Sequence, residues 1–168
     1  HETKHRAVHE TDILRRMVRE INRAAGTGVM LGAYRGVLNV DFAFPDGQAQ
    51  RMRVAYHHGH GGGGPVTGGV IGAQRAIAAG EYDLWVTGHV HERWLRYMTV
   101  ETVDDDGRRV TRDVPHVCCG AYLDDAGAGE GWHVETGKPA KPRGGWWARF
   151  YWSEVSGRVR VAIGDVDR

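Results

Sequence analysis

Two short runs decide the fold of this chain: VAYHHGH at residues 54–60 and LWVTGHVH at residues 84–91. Each run begins with apolar, β-branched or aromatic residues that predict a buried strand. Between the runs, residues 69–79 carry apolar side chains at helical spacing, so the stretch predicts a βαβ unit. Ligands of open α/β sheets collect at the carboxyl ends of parallel strands. The histidines of the two runs are therefore expected to lie together.

Five of the ten histidines fall between positions 57 and 91, and this density predicts a transition-metal site. Neutral imidazole nitrogen is a ligand of zinc, manganese and iron. Because alternate residues of an extended strand point the same way, His89 and His91 are expected to face one site, with His58 as a third imidazole. A surface loop rich in histidine and glycine, without a metal, is the alternative.

The composition of the chain limits which classes of function are expected. The chain has 168 residues, of which 41% are hydrophobic, so we predict one globular domain over residues 1–168. With 22 basic and 21 acidic residues, no broad basic field for nucleic acid or a membrane is expected. No apolar run approaches the ~20 residues of a membrane span. The only cysteines, Cys118 and Cys119, are adjacent. They are predicted to be packed thiols in a reducing, cytoplasmic compartment.

Periodicity predicts the remaining elements. Val8–Ala25 has the apolar stripe of an amphipathic helix, with Thr11 or Asp12 as its cap and Gly26 at C′. The fold class is α/β, with mixed β-sheets, flanking helices and C-terminal β-hairpins. Apart from the strand that begins the second histidine-bearing run, strands are predicted at 29–31, 37–44, 50–56, 94–103, 108–114, 117–122, 146–152 and 158–164. The remaining histidines considered, His5, His9, His116 and His133, are expected to be ordinary polar residues.

The histidine motifs resemble those of a known superfamily. A Gly-His-x-His run after a buried strand, preceded by a strand that ends in His-Gly-His, resembles the calcineurin-like metallophosphoesterases. The glycine-rich extension and the aromatic Trp146-Trp147 pair are most similar to their phage and prokaryotic members. His1-Glu2 is interpreted as the second half of the Gly-Asn-His-Asp/Glu motif, cut after its Asn. The resemblance covers residues 1 to about 120 and implies a partial metallophosphoesterase sandwich, the C-terminal part of the domain.

The resemblance also implies roles for single residues. His58 and His89 match ligands of the second metal, and His91 matches a ligand of the first. His1 matches the catalytic histidine that assists the leaving group. His60 is expected to contact phosphate or to orient a ligand. The implied cofactors are two divalent transition-metal ions, which are Mn, Fe, Zn or Ni.

The implied activity is hydrolysis of a phosphomonoester or phosphodiester by water that two metal ions activate. The implied substrate is a phosphoester, with nucleotides and nucleic acid among the candidates, and no membrane partner is expected. The superfamily's Asp-x-His and Gly-Asp-x-x-Asp motifs do not occur in this sequence, so the isolated chain is expected to hydrolyse substrate feebly or not at all.

Two alternatives stay open. The first is a non-catalytic module that binds metal or a partner. The second is a metallo-β-lactamase-like hydrolase, because residues 58–60 begin like the His-x-His-x-Asp-His motif of that family. Gly62 and Gly63 stand where that motif has Asp and His, which disfavours the second alternative.

Overall fold

The computed structural model describes residues 13–59, 70–71, 80–103, 106–121, 132–135, 137 and 139–166. Contacts divide the chain into two compact units, His1–Tyr34 and Arg35–Arg168. The single domain expected over residues 1–168 stays a prediction. Among the described residues, no helix has the length and apolar character needed to cross a membrane.

The described part of the first unit contains one helix, α1 (Ile13–Ala25). Gly26 follows it with φ +63°, the left-handed conformation that suits the C′ position, so the predicted helix end is confirmed. The start predicted at Val8 and the caps predicted at Thr11 or Asp12 lie outside the described residues.

The strand predicted at residues 29–31 is wrong, because a side chain takes up the hydrogen bonds that a strand would use. The Val29 amide donates to Asn22 Oδ1 at 2.7 Å, and Asn22 Nδ2 donates to the Val29 carbonyl at 2.8 Å. The Thr27 hydroxyl donates to the same Oδ1 at 2.9 Å. Asn22 therefore holds this segment as an irregular extension of the helix end.

The second unit is organised around a five-stranded mixed sheet. Its strands are β1 (Arg35–Ala43), β2 (Ala49–His57), β3 (Leu84–Thr87), β4 (Trp94–Val103) and β5 (Arg109–Cys118). Their order in the sheet is β1-β2-β3-β5-β4. The three inner strands β2, β3 and β5 are parallel, and the outer strands β1 and β4 pair antiparallel with β2 and β5. The parallel crossover from β2 to β3 agrees with the predicted βαβ unit. Of the helix predicted at 69–79, only Val70 and Ile71 are described, and both are helical.

The two strands predicted at 108–114 and 117–122 are in fact one strand, β5, which runs through Pro115 and ends at Cys118. Pro115 faces Tyr97 of β4, whereas pairing with β3 begins only at His116. Proline has no N–H to donate, so it is tolerated where the ladder on one side has not yet begun. The sequence predicted a break between two strands at this point, but β5 continues through Pro115.

A separate hairpin, β6 (Trp146–Ser153) and β7 (Arg158–Asp165), forms a second layer against the large sheet. Phe42 and Phe150 rings approach to 5.5 Å, and Phe44 and Trp152 rings to 5.0 Å, across this interface. A short helix, α2 (Trp132–Glu135), precedes the hairpin. The mixed-sheet α/β class and the C-terminal hairpin are thus confirmed. The core between the layers is formed by Val54, Leu84, Val117, Trp146, Phe150, Val161 and Ile163.

Candidate metal site at the ends of two parallel strands

His58 and His89 meet where two neighbouring strands end. Strand β2 ends at His57 and pairs in parallel with β3, which ends at Thr87. His58 Nε2 lies 3.1 Å from His89 Nδ1, and the ring centroids are 5.0 Å apart at an interplanar angle of 64°. Two of the predicted ligands, 31 positions apart in sequence, are therefore in direct contact.

Gly59 allows the loops after β2 and β3 to approach this closely. Its φ is +98°, a conformation that L side chains rarely adopt. A Cβ at this position would lie 2.7 Å from the Gly88 carbonyl oxygen and 3.0 Å from His89 Cβ. The close approach and the backbone conformation both require glycine, and together they fix the spacing of His58 and His89.

The backbone of the second loop is also unusual. His89 has φ 71° and His91 has φ 55°, and among the described residues these are the only non-glycine positions with positive φ. Such conformations cost about 1–3 kcal/mol each and cluster at ligand-binding and active sites. Because β3 ends at Thr87, the expectation that His89 and His91 alternate along an extended strand is wrong. The left-handed residues, rather than strand alternation, aim these rings.

Electrostatics favour the metal-binding form of His58. Partial burial lowers the pKa of its imidazole, and the nearby rings of His89, His57 and His91 act in the same direction. A lowered pKa keeps the ring neutral at physiological pH, and only neutral imidazole can donate an electron pair to a metal. The half-buried His91 is thus close enough to act on the charge of His58.

The His58–His89 pair fits part of a metal site. Two nitrogens that each bind one ion at ~2.1 Å are roughly 3.0–3.4 Å apart when the ligand angle is between about 90° and 110°. The observed 3.1 Å lies in that range. Without an ion, one nitrogen donates a hydrogen bond to the other, and a shared ion would replace that proton. Both residues keep part of their surface open to solvent, so an ion and a substrate could reach them.

Carboxylate ligands are not gathered at this pair. Within the described residues, no group of three or more His, Cys, Asp or Glu side chains is placed to hold an ion. The two nearest carboxylates in sequence are engaged elsewhere: Glu92 pairs with Lys141, and Asp83 pairs with Arg112 at 2.7 Å. His1 and His60 lie outside the described residues, so the catalytic and phosphate-contacting roles expected for them stay predictions.

The segment directly after His91 is anchored to the C-terminal part of the chain. Arg93 forms an ion pair with Asp165, and these side chains are only 14% and 29% exposed. The guanidinium also donates to the Gly145 carbonyl at 3.3 Å and lies 5.1 Å from the centre of the Trp146 ring. Sequence reasoning did not identify this anchor, since nothing in a local pattern connects residue 93 to residue 165.

His116 is a core residue, so its expected role as an ordinary polar residue is wrong. It is 1% exposed, its Nε2 lies 3.1 Å from Thr87 Oγ1, and its ring is 4.9 Å from that of Trp94. Burial lowers its pKa to about 4, so the ring is neutral at physiological pH. The one local signal for this burial is its place between Pro115 and Val117 in an apolar run.

The cysteines are packed thiols, as predicted. Both are free; Cys118 is buried, and Cys119 is half-buried. Burial raises the pKa of the Cys118 thiol to about 11 and also raises the pKa of Cys119. Both side chains are therefore protonated at physiological pH, the form that is a poor nucleophile and a poor metal ligand.

Comparison of the chain with protein-family models, with curated proteins and with solved structures gave no match.

Proposed function

We propose that this protein is a metal-dependent phosphoesterase that binds its ions at the ends of β2 and β3. The observation that carries the proposal is the 3.1 Å contact between His58 Nε2 and His89 Nδ1. In this proposal His58 and His89 bind one ion, and His91 binds the second. The motif spacing described above supports the choice of phosphoester hydrolysis among metal-dependent reactions.

The chain's own residues would contribute binding and positioning. A divalent ion at this place supplies Lewis acidity toward a phosphoryl oxygen and lowers the pKa of water. His58 stays neutral, and so able to bind an ion, because burial and neighbouring rings lower its pKa. Gly59 keeps side-chain bulk away from the contact between the two loops. The anchor of Arg93 to Asp165 limits the movement of the segment that follows His91.

Metal binding without catalysis is a second candidate. It is favoured by one observation: the part of the chain that the structure describes gathers no third His, Cys, Asp or Glu side chain around the His58–His89 pair. A dinuclear phosphoester site uses oxygen ligands to hold two ions about 3.5–4 Å apart. The two candidates differ in turnover but share the metal site, so one set of variants tests both.

Metal content is the first test. After equilibrium dialysis against Mn²⁺ or Zn²⁺, the wild-type protein should retain metal, and His58→Ala and His89→Ala should each lose it. His133→Ala, on helix α2, is the matched control and should retain as much metal as the wild type. Retention of the wild-type metal content by both site variants would contradict the proposal and its second candidate together.

Turnover separates the two candidates. Bis(4-nitrophenyl) phosphate and 4-nitrophenyl phosphate distinguish phosphodiesterase from phosphomonoesterase activity. We expect slow, metal-dependent release of nitrophenol that disappears in His89→Ala and persists in His133→Ala. Release that is equal in the wild type and in His89→Ala would arise elsewhere and would refute the catalytic assignment. Retained metal with no turnover would select the non-catalytic candidate.

A further inference from the structure

The outward face of the β6–β7 hairpin has an unusual composition. Because neighbouring residues of a strand alternate between faces, the core residues Trp146, Phe150 and Val161 point to the sheet, and the residues between them point away. We use the term hairpin face for the outward residues, which are Trp147, Arg149, Tyr151, Ser153, Arg158, Arg160, Ala162 and Gly164.

Two aromatic rings on the hairpin face are exposed to solvent. Trp147 is 66% exposed and Tyr151 is 42% exposed. They are four residues apart on one strand, which separates them by roughly 13 Å at 3.3–3.4 Å per residue. At this separation each ring can contact its own planar group. Burial of large aromatic rings lowers the free energy, so a partner that covers these exposed rings would be bound favourably.

The same face is strongly basic. Arg149, Arg158 and Arg160 are its only charged residues, so it carries three positive charges, whereas the whole chain has a net charge of +1. Arg160 is the cross-strand partner of Tyr151, and the Arg149 guanidinium lies 5.9 Å from the Tyr151 ring. Cations and π-faces are therefore interleaved, as in surfaces that bind phosphate groups and planar rings together.

The lining of a cavity of about 500 Å³ includes residues of the hairpin face. Its wall includes Tyr151, Arg158 and Arg160 from the hairpin, and Arg112 and Tyr97 from the sheet. The cavity also has two carboxylates with partners: Asp83 pairs with Arg112 at 2.7 Å, and Asp113 accepts a hydrogen bond from Thr99 at 2.8 Å. Arginine and tyrosine residues of the sheet and of the hairpin face therefore line one cavity.

We infer that the hairpin face binds single-stranded nucleic acid. Arginines attract the phosphates, and exposed rings stack on unpaired bases, which is how proteins hold single strands without reading their sequence. In a duplex the base faces are stacked on one another, so a duplex would bind only through the attraction between the arginines and its phosphates. A membrane surface is disfavoured, because the hairpin face has no aliphatic residue larger than Ala162 and an interfacial surface needs an extended apolar side.

The face runs toward the histidine end of the sheet. The Trp146 indole donates to the Cys118 carbonyl at 2.9 Å, and Cys118 is the register partner of Thr87, the last residue of β3. A strand bound along the hairpin would therefore extend toward the loop that carries His89. The binding inference does not depend on the proposed hydrolysis, because stacking and ion pairing need no metal.

The test is the binding of fluorescein-labelled oligo(dT), measured by anisotropy in EDTA, where metal-dependent hydrolysis cannot occur. Wild-type protein should bind this single strand more tightly than a duplex of equal length. Trp147→Leu and Tyr151→Leu should each weaken binding between about fivefold and a hundredfold, the range for loss of one stacking ring. Trp147→Phe and Tyr151→Phe keep a ring and should bind within a few-fold of the wild type.

The dependence of affinity on salt concentration tests the contribution of the arginines separately from that of the aromatic rings. Replacing Arg149, Arg158 and Arg160 with Gln should reduce the slope of log affinity against log salt by about 2, since each phosphate contact contributes roughly 0.7 for single strands. The matched control is Arg108→Gln with Arg109→Gln, two exposed arginines that pair with Asp106 and Glu101 on the β4–β5 hairpin. This control should leave the slope close to that of the wild type.

A measurement on the wild-type protein keeps the inference testable even if some of the variants fail to fold. The indole N–H signal of Trp147, assigned by its loss in Trp147→Phe, should shift when oligo(dT) is added. The inference is overturned if this signal does not move and the wild type shows no binding. It is also overturned if duplex binds as tightly as single strand, or if the protein binds anionic lipid vesicles but not the oligonucleotide. His89→Ala should bind oligo(dT) normally, which separates this test from that of the proposed function.

Discussion

Burial of His116 should make the protein lose stability in mild acid. The folded state holds this ring neutral until the pH falls to about 4, whereas in the unfolded chain the ring takes up a proton near its ordinary pKa of 6.5. Between these two pH values the unfolded state binds more protons, so the free energy of unfolding falls as pH falls. The stabilisation is fully present above pH 6.5, is lost through this window, and changes little below pH 4.

The size of the effect follows from the two pKa values. Each pKa unit corresponds to 1.36 kcal/mol, so a change from 6.5 to about 4 gives a loss of roughly 3 kcal/mol. His116 is 1% exposed, so solvent screens this effect little. In a protein whose total stability is about 5–15 kcal/mol, such a loss is readily measured.

The assay is urea unfolding of the wild type and of His116→Phe at a series of pH values from 7 to 4. The variant keeps an aromatic ring in the core but cannot take up a proton, so its stability should fall by roughly 3 kcal/mol less over this range. Thr87→Val removes the hydroxyl that contacts the ring but leaves it buried, and it should keep most of the wild-type pH dependence. Equal pH dependence in the wild type and in His116→Phe would refute the reasoning.

Three further predictions concern local contacts. Gly59→Ala should bind less metal, and its free energy of unfolding in urea should fall by about 1–3 kcal/mol, because the new Cβ meets a backbone oxygen and the φ of residue 59 is positive. Gly88→Ala, whose Cβ makes only ordinary contacts, should keep both its metal content and its stability. Equal effects of the two substitutions would refute this explanation. Arg93→Gln leaves Asp165 partly buried without its ion-pair partner and should cost about 1–3 kcal/mol, while Arg51→Gln, which breaks an exposed pair, should hardly move the unfolding midpoint. Leu84→Ala should cost about 2–5 kcal/mol because Leu84 is buried, and a midpoint shift as small as that of Leu38→Ala, on the exposed face of β1, would contradict its core position.

Local patterns predicted the strands well where pairing is local. The hairpins β1–β2, β4–β5 and β6–β7 each join two strands across a short turn. The turn residues and the alternation of apolar and polar side chains therefore lie close together in the sequence, where local patterns can detect them. The parallel pairing of β2 and β3 was predicted from a repeated strand–histidine pattern. The errors at residues 29–31 and at Pro115 have one cause: the outcome depended on a specific partner, Asn22 in one case and strand β3 in the other.

The candidate site was predicted in part. The meeting of His58 and His89 follows from the rule that parallel strands end together, so sequence reasoning sufficed. The conformation of the second loop did not follow, because no propensity predicts positive φ at His89 and His91. The burial of His116 and the Arg93–Asp165 anchor depend on contacts between distant segments, which a pattern of neighbouring residues does not contain.

The most direct test of the metal site is an NMR titration of ¹⁵N-histidine-labelled protein with Zn²⁺, observed through long-range correlations of the ring nitrogens. We expect the His58 Nε2 and His89 Nδ1 signals to move together as the ion binds, since these are the two atoms that lie 3.1 Å apart. The buried His116 ring serves as the internal control and should not change. If both nitrogens keep their metal-free shifts at saturating Zn²⁺, the pair does not bind an ion and the central claim is wrong.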